Sequence, residues 1–174
     1  TSLNLYAFYK KDKSSWDNAL SANFGYINTT SLGSRKNDDR IDLISKYGYA
    51  LNPKLNLTSL INFRSQAIKG YSYTETTKGN FTKNFASDFL SPAYALISQG
   101  LEYKPIKGFT AFVSPITSRW IIVMDDSLSA RGDYGVTTGK KSMNQLGSFA
   151  TLSYNKSFNK FISYRGRVDL FSNY

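Results

Sequence analysis

A chain of 174 residues with a formal charge of +10 and neither cysteine nor histidine has the length of one domain and lacks several common chemistries. Disulfides and thiolate metal sites are excluded, as are the commonest catalytic base and the commonest transition-metal ligand. No uninterrupted apolar run exceeds Trp120 to Met124, far short of the ~20 residues of a membrane-crossing helix, so only strands remain as a means of crossing a bilayer.

Strands are expected over 1–9, 18–28, 40–51, 55–68, 93–104, 109–123, 146–155 and 161–172. Several approach the ~9–11 residues of a tilted membrane strand, against ~5–6 in soluble sheets. Side chains on a strand point alternately to its two faces, and four of the runs alternate cleanly. In the second, Leu20, Ala22, Phe24 and Tyr26 oppose Ser21, Asn23 and Gly25. In the third, Ile41, Leu43, Tyr47 and Tyr49 oppose Asp42 and Lys46. After a turn at Asn52-Pro53-Lys54, the fourth sets Leu55, Leu57, Ile61 and Phe63 against Asn56, Thr58, Leu60, Asn62 and Arg64. In the last, Ile162, Tyr164, Val168 and Leu170 oppose Ser163, Arg165, Arg167 and Asp169. The runs 1–9, 93–104 and 109–123 are mixed, and Pro115 marks a bulge or strand end. No helix pattern of useful length and no internal repeat is present.

The connections alternate in length. Those at 10–17, 52–54, 105–108 and 156–160 are short, and those at 29–39, 69–92 and 124–145 are long, the wiring of outer-membrane barrels. Tyr9, Trp16, Tyr49, Tyr103, Phe109, Tyr154 and Phe161 lie near the short turns. Tyr26, Tyr71, Tyr94, Trp120 and Phe171 lie towards the long connections, so two aromatic belts flank an aliphatic band. The lysines at 10, 11, 13, 54, 104, 107, 156 and 160 sit in or beside the short connections. This placement suits anionic headgroups and gives no groove-filling basic helix, so nucleic acid is not an expected partner.

The expected architecture is therefore an all-β, transmembrane, antiparallel up-and-down barrel, a single domain over 1–174. By strand parity, both termini fall on the long-loop side. Single-chain barrels normally have an even strand number with both ends on the other side. The eight strands are thus expected to be part of a ten- or twelve-stranded barrel in a longer chain, and the lack of an initiator methionine and of a signal peptide fits a mature or excised segment.

Several short motifs occur in order along the chain. They are Arg35-Lys36-Asn37-Asp38-Asp39, Ser45-Lys46-Tyr47-Gly48-Tyr49, Asn84-Phe85 and Asp88-Phe89-Leu90-Ser91-Pro92-Ala93-Tyr94. Ser114-Pro115-Ile116-Thr117, Gly132-Asp133-Tyr134-Gly135-Val136 and Asp169-Leu170-Phe171-Ser172-Asn173-Tyr174 follow. Together the series resembles an uncharacterised family of Bacteroidota outer-membrane β-barrel proteins, a domain of unknown function, across nearly the whole chain. The resemblance implies a location in the bacterial outer membrane and a barrel fold, and it brings no catalytic residues.

The polar faces assign Asp42, Lys46, Arg64, Gln66, Glu102, Arg165, Arg167 and Asp169 to the lumen. Such a set makes either a charged constriction that selects solutes or a salt-bridged plug in a narrow barrel, and the plug is expected. A hydrolytic site is not, because histidine is absent and Ser–Lys pairs have no telling spacing. Asp38-Asp39 and Asp125-Asp126 lack the ligand spacing of a calcium loop and read as solvated loop charge. Arg131-Gly132-Asp133 reads as a glycine turn. Tyr71, Tyr73, Phe81, Phe85 and Phe89 of the connection 69–92 are expected to fold back over the barrel mouth rather than dock a partner. Arg35, Lys36, Lys140 and Lys141 are candidates for lipopolysaccharide phosphates.

These readings converge on a non-enzymatic outer-membrane barrel without cofactor or metal, a structural or interaction component of an envelope assembly. Its expected partners are membrane lipids, including lipopolysaccharide, and other outer-membrane or surface proteins. A narrow channel for small solutes is the alternative, and a soluble lipid-binding barrel with its apolar faces turned inward is a third possibility.

Overall fold

The computed structural model describes residues 1–30, 33–77 and 80–174; residues 31–32 and 78–79, inside the expected connections 29–39 and 69–92, lie outside the described residues. The strands are β1 (Ser2–Lys11), β2 (Ser14–Thr29), β3 (Gly33–Asn52), β4 (Leu55–Ser65), β5 (Gly70–Thr77), β6 (Asn80–Ser87), β7 (Ala93–Tyr103), β8 (Phe109–Ile122), β9 (Ser142–Ser157) and β10 (Ser163–Asn173). Eight of them form one antiparallel sheet in the order β1-β2-β3-β4-β7-β8-β9-β10, and β5 and β6 pair only with each other. All eight expected strands are present. The sheet curls into a half-barrel, so that Phe8 of β1 and Arg167 of β10 line one cavity with residues of the middle strands. β1 and β10 do not pair with each other and form its two edges.

Local chemistry fixes the tight turns. Asn52 Oδ1 accepts hydrogen bonds from the N–H groups of Lys54 and Leu55, both at 2.9 Å. Asn159 Oδ1 does the same for Phe161 and Ile162 at 2.9 and 2.7 Å. Asparagine side chains thus satisfy backbone donors where the chain reverses.

The register puts the alternating apolar set on the convex face, where Leu3, Leu5, Leu43, Leu57, Ile61, Ile97, Leu101, Val113, Leu152, Val168 and Leu170 are all exposed. The mixed character of the sixth strand has a specific cause. A bulge between Ser114 and Thr117 surrounds Pro115, which cannot donate to the ladder, and it inverts the parity of β8. Phe112 and Ser114 are buried on the concave side before it, and Thr117 and Ile121 after it, while Ile116 is 70 % exposed.

Two long connections differ from expectation. Residues 33–39 are strand rather than loop, because β3 begins at Gly33 and continues pairing with β2 past a bulge at Gly25/Tyr26. A run of polar residues can extend a hairpin once its partner strand supplies the ladder hydrogen bonds. The segment 69–92 is largely the β5–β6 hairpin. The connection after β8 holds a short helix, α1 (Asp126–Arg131), followed by a 3-10 turn at Asp133–Gly135. Gly132 caps α1 with φ of 69°, a left-handed conformation that glycine adopts without a Cβ penalty.

Two apolar clusters sit on the concave side. Leu60, Phe112 and Phe149 pack with Ile44, Leu96 and Phe171 at mid-height. Nearer the long-connection end, Ile121, Val123, Leu128 and Val136 pack with Phe85, Tyr94 and Met143. The second cluster seats the connection containing α1, and the base of the β5–β6 hairpin, over that end of the concave face.

Candidate functional site

The concave face carries three ion-pair islands. In the first, Asp42 is shared by two arginines from β3 and β4: Arg40 Nη2 lies 2.6 Å from Oδ2 and Arg64 Nε 3.0 Å from the same oxygen. Asn62 Nδ2 donates to Oδ1 at 2.8 Å. Residues 40 and 42 share a face of β3, and Arg64 is the register partner of Asp42, so pairing brings all of them together. In the second, Glu102 of β7 binds Lys46 at 2.7 Å and Lys104 at 2.6 Å, with Asn56 Nδ2 at 3.2 Å. The Glu102 side chain is 3 % exposed, and a carboxylate buried to that degree must be paired. In the third, Arg167 and Asp169 pair along the edge strand β10 at 2.9 Å.

The expected lumen set is therefore split rather than fused. Asp42 and Arg64 meet, Lys46 and Glu102 meet, and Arg167 meets Asp169. Arg165 has no ion pair among the described residues and is exposed. Gln66 lies past the end of β4 and serves a different cluster, accepting from Lys36 Nζ at 3.2 Å and donating to the Ser91 carbonyl at 3.0 Å.

That cluster corrects the reading of Asp38-Asp39 as solvated charge. The Asp39 side chain is 0 % exposed and paired with Lys36 at 2.9 Å. It also accepts from the backbone N–H groups of Ala67 and Ile68 at 2.9 and 3.0 Å. β3 rises past the end of β4, and Asp39 fastens the departing chain to it. Lys36 is likewise committed, donating to Ile68 O and Ser87 Oγ as well, so of the four cations suggested for lipopolysaccharide it is the least available. Lys141 pairs with Asp126 at 2.8 Å. No group of three or more carboxylates able to hold a metal ion occurs among the described residues.

Outside the sheet, Asp125 caps α1, accepting from the Ser127 and Leu128 N–H groups at 2.9 and 3.0 Å. The Ser127 hydroxyl, at 2.6 Å, and then the Leu128 amide hold its carboxyl below the usual carboxylate range. Burial, reinforced by the neighbouring Asp133 charge, pushes the Tyr134 phenol up. Tyr134 donates to the Ala86 carbonyl, and Arg131 Nη2 donates to the Phe85 carbonyl at 2.8 Å, so the Arg131-Gly132-Asp133 turn docks the β5–β6 hairpin. Of the hairpin's aromatics, Phe85 packs into the cluster beneath, and Tyr71 meets it edge-on at 5.9 Å. Phe81, and Phe89 just beyond the hairpin, remain exposed.

Sequence reasoning missed the apolar band between the charged islands. Leu60, Phe112 and Phe149 are buried on the concave face, although strict alternation assigns that face to polar residues. The available signal was adjacency: Leu60-Ile61 and Phe112-Val113 place apolar side chains on both faces of one strand.

Residues 1–71 match a family described as a protein of unknown function, DUF3078. The match spans β1 to β4 and the first residues of β5, so this part is similar to an uncharacterised domain. No curated protein matches the chain, and no solved structure does.

Proposed function

We propose that this chain is part of a β-barrel of the bacterial outer membrane, with acyl chains against its convex face, acting as a non-enzymatic structural or interaction component of an envelope assembly. The observation that carries the reading is the exposed apolar convex surface, continuous from Leu3 and Leu5 on β1 to Val168 and Leu170 on β10. Soluble monomers rarely expose a contiguous apolar patch larger than a few hundred Å², whereas a bilayer makes that face favourable. Exposed Tyr9, Trp16, Tyr47, Tyr49 and Tyr103 near the short turns, and Tyr26 and Trp120 towards the opposite end, are placed as interfacial belts would be. The same arrangement disfavours a soluble lipid-binding barrel, whose apolar faces would point inward.

The free edges of β1 and β10 support closure by further strands, giving ten or twelve. In hydrocarbon an open edge leaves backbone donors and acceptors unsatisfied at several kcal/mol each. The mid-height apolar band and the connection seated over one end favour a filled lumen over a narrow channel. Planar-bilayer recordings of the reconstituted protein test this: no conductance steps are expected, and discrete steps would establish the channel instead. The assembly role is tested by mild-detergent purification from native membranes, where a reproducible co-purifying envelope protein is expected and its absence counts against the role.

A further inference from the structure

Five cations hold three of the acids on the concave face, whereas Asp17, the register partner of Lys46 on the same face, has no ion pair among the described residues. Asp42 is shared by Arg40 and Arg64, Glu102 by Lys46 and Lys104, and Asp169 is taken by Arg167. Arg119 of β8 has no carboxylate partner among the described residues; its guanidinium lies 5.4 Å from the centre of the Phe171 ring. Arg119 and Arg64 line one cavity of about 430 Å³ together with Asn62, Tyr94 and Leu96. The Arg119 guanidinium, the N–H groups of Arg64 that Asp42 does not take and the Tyr94 phenol can donate hydrogen bonds to a carboxylate or phosphate, while the Asn62 amide is spent on Asp42 Oδ1 and the Leu43 carbonyl.

This cavity does not end at the arginines. Asn62, Arg64 and Leu96 also line a neighbouring cavity of about 340 Å³, and that one shares Ile44, Leu60 and Arg167 with a third of about 240 Å³. Shared lining therefore links the three cavities from the Arg119 end to a floor of Leu96, Leu60 and Ile44, with the charged side chains of Asp42, Arg167 and Asp169 on the walls. A bare inorganic anion would use only the first part. A polypeptide would set its backbone amides against Leu60 and Ile44, which offer no partners, at a desolvation cost. From Arg64 to Leu60 is four strand residues, about 13 Å at ~3.3 Å each, the reach of a medium-length hydrocarbon chain.

We propose that the concave face binds a single-chain anionic amphiphile, with its acid group between Arg119 and Arg64 and its chain along Leu96, Leu60 and Ile44. The site is separate from the lipid-facing convex surface and is independent of the assembly role. It also accounts for an apolar floor inside a face otherwise lined with charge, which neither a water-filled pore nor an ion-pair plug requires.

The test uses the full chain in phosphatidylcholine nanodiscs, titrated with dodecanoate carrying a ¹³C carboxyl. The expected result is a saturable carboxyl resonance at one per protein, distinct from that of dodecanoate in empty discs. Arg119→Gln should weaken it at least tenfold and Arg119→Lys less, and acetate should give no such resonance. A titration indistinguishable from empty discs overturns the proposal, as does an Arg119→Gln protein that binds like the unaltered one, or equal binding of acetate.

A second measurement needs no variant. Dodecanoate with a nitroxide near its methyl end should broaden the Ile44 and Leu60 methyl resonances more than those of Leu57 and Ile61, whereas the reverse places the chain in the bilayer and sinks the idea. Failure of the membrane reading is scored separately, by whether the protein co-elutes with the discs at all. If it does not, the same titration is run in buffer.

Discussion

Removing the Glu102 carboxylate perturbs the most enclosed ion pair on the concave face. Glu102→Ala strips the counter-charge from Lys46 and Lys104 and the acceptor from Asn56, which now lie at 2.7, 2.6 and 3.2 Å. Deleting one partner of a fully buried pair costs about 3–5 kcal/mol. The lysine side chains, however, are 30 % and 41 % exposed, so water recovers part of their solvation, and exposed pairs are worth ~0–1 kcal/mol. The expected loss lies between these limits, about 2–3 kcal/mol. The double variant Lys46→Met/Glu102→Leu replaces the pair by apolar side chains and leaves the partly exposed Lys104 to water, so it should recover most of that loss. The assay is urea unfolding from lipid vesicles followed by Trp16 and Trp120 fluorescence. A Glu102→Ala protein within about 0.5 kcal/mol of the parent, the range of ordinary surface substitutions, would refute the reasoning. A double variant as unstable as the single one would also refute it.

Three further outcomes follow from particular contacts. A Cβ added to Gly100 would stand 2.1 Å from the Val113 carbonyl oxygen, backbone that cannot step aside, whereas one added to Gly25 comes no nearer than 3.3 Å, to the Asp38 Cβ. Gly100→Ala should therefore cost about 1–3 kcal/mol as overpacking does, and Gly25→Ala clearly less, by the same unfolding assay. Asp125→Ala should cost about 1 kcal/mol of local α1 stability as the loss of an N-cap, seen as faster amide exchange at Leu128. Because the folded-state pKa of Asp125 is depressed, its contribution is present above the unfolded value near 3.9 and is lost as pH falls through the lower folded value. The Leu128 amide should thus lose protection in acid in the parent but not in Asp125→Ala. Finally, Ile61→Arg should cost about 2–4 kcal/mol if its strand position lies near the bilayer midplane; a change within about 0.5 kcal/mol is the result for a water-facing site.

The sheet was legible because period-two alternation is a direct image of the pleat, and β2, β3, β4 and β10 carry it over most of their length. The division of charged from apolar faces came with it, and it assigns Asp42, Lys46, Arg64 and Glu102 to one side. Which of them touch was not legible. That depends on register and on neighbours such as Arg40 and Lys104, which enter the islands from adjacent positions. Asp39 was misread because a run of charges looks solvated until a second segment, here residues 67–68, brings backbone donors to it. The apolar band was hidden because Leu60, Phe112 and Phe149 come from three different strands and meet only through register, while the bulge at Pro115 swaps the faces of β8 midway and makes that strand's pattern look mixed. The β5–β6 hairpin was missed because its strands pair only with each other, and its composition of glycine, threonine and aromatic residues reads as a loop.

The orientation of the two faces is open to direct measurement, since the chain has no cysteine of its own. Single cysteines at Ile61 and at its neighbour Asn62, each carrying a nitroxide in reconstituted vesicles, report collision with oxygen, which concentrates in lipid, or with a water-soluble nickel chelate. The account predicts that the label at 61 is reached by oxygen and shielded from the chelate, with a label at Leu57 behaving alike, and that the label at 62 is not lipid-exposed. Equal access of the chelate to 57 and 61 would contradict it.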